Sequence, residues 1–140
     1  MRDKLFLDTN VVIDLLGNRK PFFDSIAKIA TLADEKKLDL AMSALSFSTV
    51  FYILSKYEKT AMVRDKLHKL KIICDTVDLT DKIIEKGLVS NFADFEDALQ
   101  YYSALSAECK IIISRNGKDF KASDIPVMTA NEYLYSLEIK

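Results

Sequence analysis

Residues 5–17 read Leu5-Phe6-Leu7-Asp8-Thr9-Asn10-Val11-Val12-Ile13-Asp14-Leu15-Leu16-Gly17, and this stretch sets the reading of the rest. Leu5, Phe6 and Leu7 form a short apolar run that reads as a buried strand. The apolar spacing then changes to that of a helix through Val11, Val12, Leu15 and Leu16. Asp8 or Thr9 is placed to cap that helix, and Gly17 to end it. A buried strand running straight into a helix, with an acid at the junction, is the pattern sought elsewhere.

It recurs. Pro21 suits the first turn of a second helix, with Phe22, Ile26, Ile29 and Leu32 on one face. Leu38 to Met42 reads as the next strand, and Ser43 caps a helix carrying Leu45, Phe47, Val50, Phe51 and Leu54. A further helix is expected over Ala61 to Leu70. Ile72-Ile73-Cys74 reads as a third strand, and Thr80 starts a helix through Ile83, Ile84 and Leu88. Asp94 opens another, through Ala98, Leu99, Tyr102 and Leu105. Ile111-Ile112-Ile113 is the clearest strand, three β-branched residues between polar flanks. Pro126-Val127-Met128 suggests a short edge strand before a last helix capped by Thr129. Strands alternating with helices imply an α/β fold, a mostly parallel sheet covered by helices on both faces.

The composition bounds the function. The chain has 140 residues, of which 49% are hydrophobic and 29% charged. That suits one globular domain, read here as residues 1–140, with no repeat or linker. The start, Met-Arg-Asp-Lys, reaches charge too early for a secretory h-region, and no run approaches the roughly 18 apolar residues of a membrane span. The cytoplasm is the expected compartment. Cys74 and Cys109, the only cysteines, read as buried reduced thiols. His68 is the only histidine and reads as a surface helix residue, so zinc sites and His-based triads lack material. Hydrolytic chemistry here must rest on carboxylates. The net charge of −1 gives no general attraction for nucleic acid. Even so, Lys56, Lys59, Arg64, Lys66, Lys69 and Lys71 face only Glu58 and Asp65 in their stretch. That segment is either a phosphate-contacting surface or a solvated helical one.

In parallel α/β sheets ligands gather outside the carboxyl ends of strands. Asp8 ends the first strand, and Ser114 to Asp119 follow Ile111–Ile113. Asp94 and Asp97 stand one turn apart at a helix start. Were these strands neighbours, several carboxylates would meet at one rim, and oxygen ligands of this kind suit Mg²⁺ or Mn²⁺. Such a site supports phosphate-ester chemistry without His or Cys. Each acid also has a plainer reading: Asp8 and Asp94 as helix caps, Asp97 as a partner of the helix dipole.

The words Leu-Phe-Leu-Asp-Thr-Asn-Val-Val-Ile-Asp-Leu-Leu, Asp-Ala-Leu-Gln-Tyr-Tyr-Ser-Ala and Ile-Ile-Ile-Ser-Arg-Asn-Gly-Lys-Asp-Phe, in this order, resemble the PIN-domain family. They are similar in particular to the toxin ribonucleases of VapBC toxin–antitoxin pairs. The resemblance implies a Mg²⁺- or Mn²⁺-dependent endoribonuclease acting on RNA, often a homodimer, held inactive by a cognate antitoxin protein. It maps the metal-binding acids onto Asp8 and Asp97, a supporting polar residue onto Asn10, and a hydroxyl onto Ser114. Two positions depart from the family pattern. Thr49 stands where a Glu is common, and Asn116 where a final acid is common. Asp94, Asp119 and Glu96 are the possible substitutes; Glu96 ranks below the others because it points roughly 100° away from Asp97 around the helix. The alternatives to a nuclease are a degraded PIN-like module that binds RNA or protein, and a phosphatase with Asp8 as nucleophile. The second lacks the usual acid two residues on, where Asn10 stands.

Overall fold

A computed structural model describes residues 2–139. Five strands, β1 (Lys4–Leu7), β2 (Asp39–Ser43), β3 (Cys74–Val77), β4 (Ile111–Ile113) and β5 (Val127–Met128), form one sheet in the order β3-β2-β1-β4-β5. Every pair is parallel. The chain builds outward from β1 through β2 to β3, then returns to the other side of β1 with β4 and β5. The strand order therefore reverses at β1, and it is outside the carboxyl ends of strands at such a reversal that ligands gather in open parallel sheets.

Seven α-helices cover the sheet: α1 (Thr9–Leu16), α2 (Phe23–Asp34), α3 (Ala44–Leu54), α4 (Thr60–Ile73), α5 (Asp81–Leu88), α6 (Phe95–Ser106) and α7 (Ala130–Ile139). Alternation along the strands separates two cores. Leu5, Leu7, Leu40, Met42, Ile111 and Ile113 face one side, packing with apolar residues of α1, α2, α3, α4 and α7. Phe6, Ala41 and Ile112 face the other, with Tyr101 and Ala104 of α6 and with Phe120. The helix α5 lies on α6. A Cβ at Gly87 would stand 3.2 Å from Leu99 Cδ2 and 3.3 Å from Phe95 Cε1, so the close approach of these helices uses glycine.

The caps fall where the sequence puts them. Asp8, Ser43, Thr80 and Asp94 each accept a backbone N–H in the first turn of their helices. Thr129 and Glu132 cap α7 reciprocally, each side chain accepting the other's N–H. Cys74 and Cys109 are free and buried, and His68 is exposed.

Three boundaries need correction. Pro21 lies outside α2, in a turn where the N–H groups of Phe22 and Phe23 both reach the Arg19 carbonyl. Ile72 and Ile73 belong to α4 and not to β3. The stripe Val63, Leu67 and Leu70 keeps that helix on the core, which leaves Ile72 78% exposed on its outer side. The strand begins only where Cys74 pairs with Leu40. Residues Gly117–Phe120 form a 3₁₀ turn, η1, that the apolar pattern did not signal.

Much of the basic stretch is used internally. Lys66 binds Glu58 at 2.6 Å and the Leu16 carbonyl at 2.8 Å, and Lys69 pairs with Asp65. Lys56 lies over the Tyr52 ring and Arg64 over the Phe51 ring. Among the described residues no helix is long and apolar enough to cross a membrane.

Candidate active site

Asp8 leaves β1 at the point where strand order reverses. Its N–H donates to the Ile113 carbonyl at 3.0 Å, which ties the end of β1 to the end of β4. The residue is buried, 6% exposed, and its carboxylate accepts two hydrogen bonds: Thr9 N–H on Oδ1 at 2.8 Å, and Ser114 O–H on Oδ2 at 2.8 Å. Ser114 Oγ in turn accepts the Asn116 N–H at 3.0 Å. One hydroxyl thus links the two strand ends and fixes the loop after β4. The cap and the site are the same residue: Asp8 caps α1 with one oxygen and leaves lone pairs on both facing the rim.

The other acids arrive from α6 and η1. Asp94 Oδ1 accepts the Asp97 N–H at 3.0 Å, so Asp94 caps α6 while standing beside Asp97. Burial raises the Asp97 carboxyl, and Asp94, Asp8, Asp119 and Glu96 raise it further, to about 7. Asp8 is also raised, chiefly by burial; the Ser114 and Thr9 hydrogen bonds oppose this, Asp119 adds to it, and Arg115 lowers it slightly. Glu96 is raised by burial, then by Asp94 and Asp8. Although Glu96 points away from Asp97 by helical geometry, it belongs to the same field. Five carboxylates therefore share one electrostatic field at this edge of the sheet, with Arg115 as the cation that Asp8 senses.

Asn10 is half-buried in the first turn of α1. Thr49 is half-buried on α3, its hydroxyl directed back to the Leu45 carbonyl of its own helix at 3.4 Å. No hydrogen bond ties the Thr49 side chain to Asp8 among the described residues. Asn116 is drawn in by its backbone N–H, through Ser114.

Residues 4–118 match the family model described as PIN domain. The chain belongs to the PIN-domain family. This PIN-domain chain is 32% identical over 136 residues to Ribonuclease VapC1 of Aquifex aeolicus (strain VF5), covering 94% of this chain and 93% of that protein. Among solved structures it resembles Mycobacterium tuberculosis VapC20, described as a sarcin-ricin loop cleaving toxin. The TM-score is 0.67 at 14% identity, over 84% of this chain and 94% of the other. It also resembles a chain of a toxin–antitoxin complex from Klebsiella pneumoniae, with TM-score 0.66 at 24% identity, over 90% and 97% of the two chains. These two structural likenesses establish the fold.

The donor chemistry of this PIN-domain site fits a divalent cation. Burial first, and then the neighbouring acids, raise the Asp97 carboxyl to about 7, and a bound cation would relieve the repulsive part. Among the described residues no three His, Cys, Asp or Glu side chains form a ready cage. Mg²⁺ is commonly held by one or two carboxylates while keeping several waters. Asp8 and Asp97 are the residues that would hold it.

Two arrangements at the PIN-domain site escaped the sequence reading. Beneath the rim, Gln100 Nε2 donates to Ser46 Oγ at 3.0 Å and to Thr9 Oγ1 at 3.3 Å. Thr9 and Ser46 share a third bond of 2.8 Å. All three residues are buried, and they lock the first turns of α1 and α3 to α6 one turn below Asp97. Beside the rim, Arg115 forms a two-bonded ion pair with Asp14, at 2.6 and 3.2 Å, and lies over the Phe22 ring at 4.1 Å. Both carried a signal, a polar residue within an apolar helical face: Asp14 among Val11, Val12, Ile13 and Leu15, and Gln100 between Leu99 and Tyr101.

Proposed function

We infer that this PIN-domain chain is a Mg²⁺- or Mn²⁺-dependent endoribonuclease, the toxin of a toxin–antitoxin pair. The observation that carries the reading is the buried Asp8 at the strand-order reversal, its carboxylate fixed by Thr9 N–H and by Ser114 O–H from the neighbouring strand end. The relative named Ribonuclease VapC1, alike over 94% of the chain, supports RNA as the substrate. The likeness to chains from toxin–antitoxin complexes supports a cognate antitoxin as partner. Homodimerisation and a cytoplasmic setting belong to the same reading, with residues 1–140 acting as one domain.

A bound divalent ion would polarise the scissile phosphate and lower the pKa of an attacking water. The chain's own residues do the rest. Asp8, pinned by Thr9 N–H and Ser114 O–H, presents its remaining lone pairs without freedom to turn. Asp97, close to half-protonated at neutral pH in the metal-free site, is a ligand whose proton is readily lost. Asp94 or Asp119 adds a ligand or orients a water, and Ser114 and Asn116 support the loop. Thr49 and Asn116 are taken to stand where relatives carry acids, so one weakly held ion is expected in place of two.

The test is cleavage of RNA by the purified protein with Mg²⁺ or Mn²⁺ and with a chelator. Metal-dependent cleavage abolished by Asp8→Asn is expected. Cleavage that survives both the chelator and that substitution would overturn the reading. A second reading, a PIN-like module that binds RNA or protein without cutting, is favoured by one observation: Thr49 spends its hydroxyl on its own helix. Calorimetry separates the two, because a catalytic site takes up Mn²⁺ and loses it with Asp97→Ala.

A further inference from the structure

Beside the carboxylates, on the α1 side of the sheet, lies a cavity of about 310 Å³ between α1, α2, the start of α7 and the loop after β4. Val11, Asp14, Phe22, Ser25, Arg115 and Asn131 line it. Two of its lining residues are joined to the acidic site through the backbone. Arg115 directly follows Ser114, whose hydroxyl holds Asp8. Val11 N–H donates to the Asp8 carbonyl at 3.1 Å, within the first turn of α1. The cavity therefore begins about one helical turn, roughly 5 Å, from the residue that would face the scissile phosphate. A volume at the lower end of small-ligand pockets suits a single base and not a folded partner.

The lining specifies what kind of base. Asp14 engages one side of the Arg115 guanidinium, through Nε and one terminal nitrogen. The end-on pair of N–H groups, the fork that reads two adjacent acceptors, donates to nothing among the described residues. Asp14 is 1% exposed and Phe22 lies under the guanidinium plane, so this fork is held in place before any ligand arrives. Asn131 accepts a hydrogen bond from Ser25 on Oδ1, which leaves its amide N–H₂ as a further donor. The free groups are thus donors, aligned beside an aromatic ring. Of the four bases, guanine offers paired acceptors, O6 and N7, to an arginine fork. Single-stranded RNA can splay such a base out of its stack and lay it on an aromatic or guanidinium plane.

We propose that this cavity is a nucleobase subsite that selects guanine next to the scissile phosphate, with Arg115 and Asn131 as specificity-determining residues. The proposal rests on the ribonuclease reading for its biological sense, but its test does not need catalysis. The metal-free full-length protein, labelled with ¹⁵N, is titrated with GMP, AMP, CMP and UMP, whose shared phosphate cancels in the comparison. GMP is expected to shift the amides of Phe22, Ser25 and Asn131 and to bind about tenfold more tightly than the others. Asn131→Ala removes only exposed contacts, and Arg115→Lys keeps the charge while losing the fork; both are expected to remain folded and to abolish the preference. Equal binding of all four nucleotides would overturn the proposal. So would a tetraglutamate peptide that occupies the cavity while GMP does not, which would mark it as a protein-docking site. A panel of RNA oligonucleotides separates the two readings. Cleavage with no base preference leaves the nuclease standing and removes the subsite. Guanine-selective binding without cleavage at any metal concentration keeps the subsite and removes the nuclease.

Discussion

Asp97 ties the chemistry of this site to the stability of the fold. Its carboxyl is raised to about 7 in the folded chain, whereas in the unfolded chain it returns to the ordinary carboxylate value. Between these values the folded state holds more protons than the unfolded one, so stability falls as pH rises from about 4 to 7 and levels off above. Asp8 and Glu96, raised in the same direction, reinforce the trend. Asp97→Asn removes the charge and is expected to raise the Tm of the metal-free protein at pH 8 while leaving it nearly unchanged at pH 4. Calorimetric scans across that range check it, and a wild-type Tm that stays flat from pH 5 to 8 would refute the charge crowding. Gln100 is a different case: its Nε2 ties Thr9 and Ser46 to α6, while its buried Oε1 has no partner among the described residues. Gln100→Met keeps the volume, strips Thr9 and Ser46 of a donor but leaves them bonded to each other, and removes the unpaired oxygen. A net loss of no more than about 1 kcal/mol is expected in urea unfolding, accompanied by weaker Mn²⁺ binding because α6 is no longer pinned under Asp97.

The helix start is the element that turns sequence into site. Asp8 and Asp94 each cap a helix with one carboxylate oxygen and still stand at the acidic rim. The capping reading and the ligand reading therefore do not compete. They can be separated at Asp94, where Asn preserves a capping oxygen and Ala does not. Asp94→Asn is expected to hold stability within a few tenths of a kcal/mol, and Asp94→Ala to lose about 1 kcal/mol, both measured by denaturant unfolding. If Asp94 also serves the site through its charge, RNA cleavage falls in both variants. Equal cleavage by wild type and Asp94→Asn would leave it a cap alone. The loop after β4 is held in a different way, by Ser114 reaching across to β1 and by Arg115 paired with buried Asp14 and lying over Phe22.

At the scale of the whole molecule, the sheet brings together acids that lie far apart along the chain. The order β3-β2-β1-β4-β5 sets β1 beside β4, so residue 8 meets residue 114 across 106 positions of sequence. The two cores hold α1 and α6 on opposite faces, with Asp8 at the seam between them. A cation bound at that seam joins both halves and stabilises the fold by linkage. Mn²⁺ at roughly 100 times its Kd is expected to add about 2.7 kcal/mol, a Tm rise of several degrees. The rise should appear at pH 8 and be smaller at pH 5, where Asp97 is protonated. Thermal scans with Mn²⁺ and with a chelator measure this directly, and an equal rise at both pH values would place the ion elsewhere.

The sequence by itself determined the strands β1, β2 and β4, their helix caps, the α/β class and the family, because these depend on local pattern. Leu5–Leu7 and Ile111–Ile113 announce buried strands, and Asp8, Ser43, Thr80 and Asp94 announce helix starts. It misplaced β3, since Ile72 and Ile73 are apolar in a helix as they would be in a strand, and only pairing with β2 tells the two apart. It singled out Asp8 and Asp97 through a motif but could not show that β1 lies beside β4, which brings Ser114 onto Asp8, because strand order is not written in any single segment. The pairing of Asp14 with Arg115, the hold of Gln100 on Thr9 and Ser46, and the cavity beside Asp8 were decided by tertiary structure alone. Each joins residues from separate elements, and it is the strand order, fixed by the packing of both cores, that brings those elements into contact.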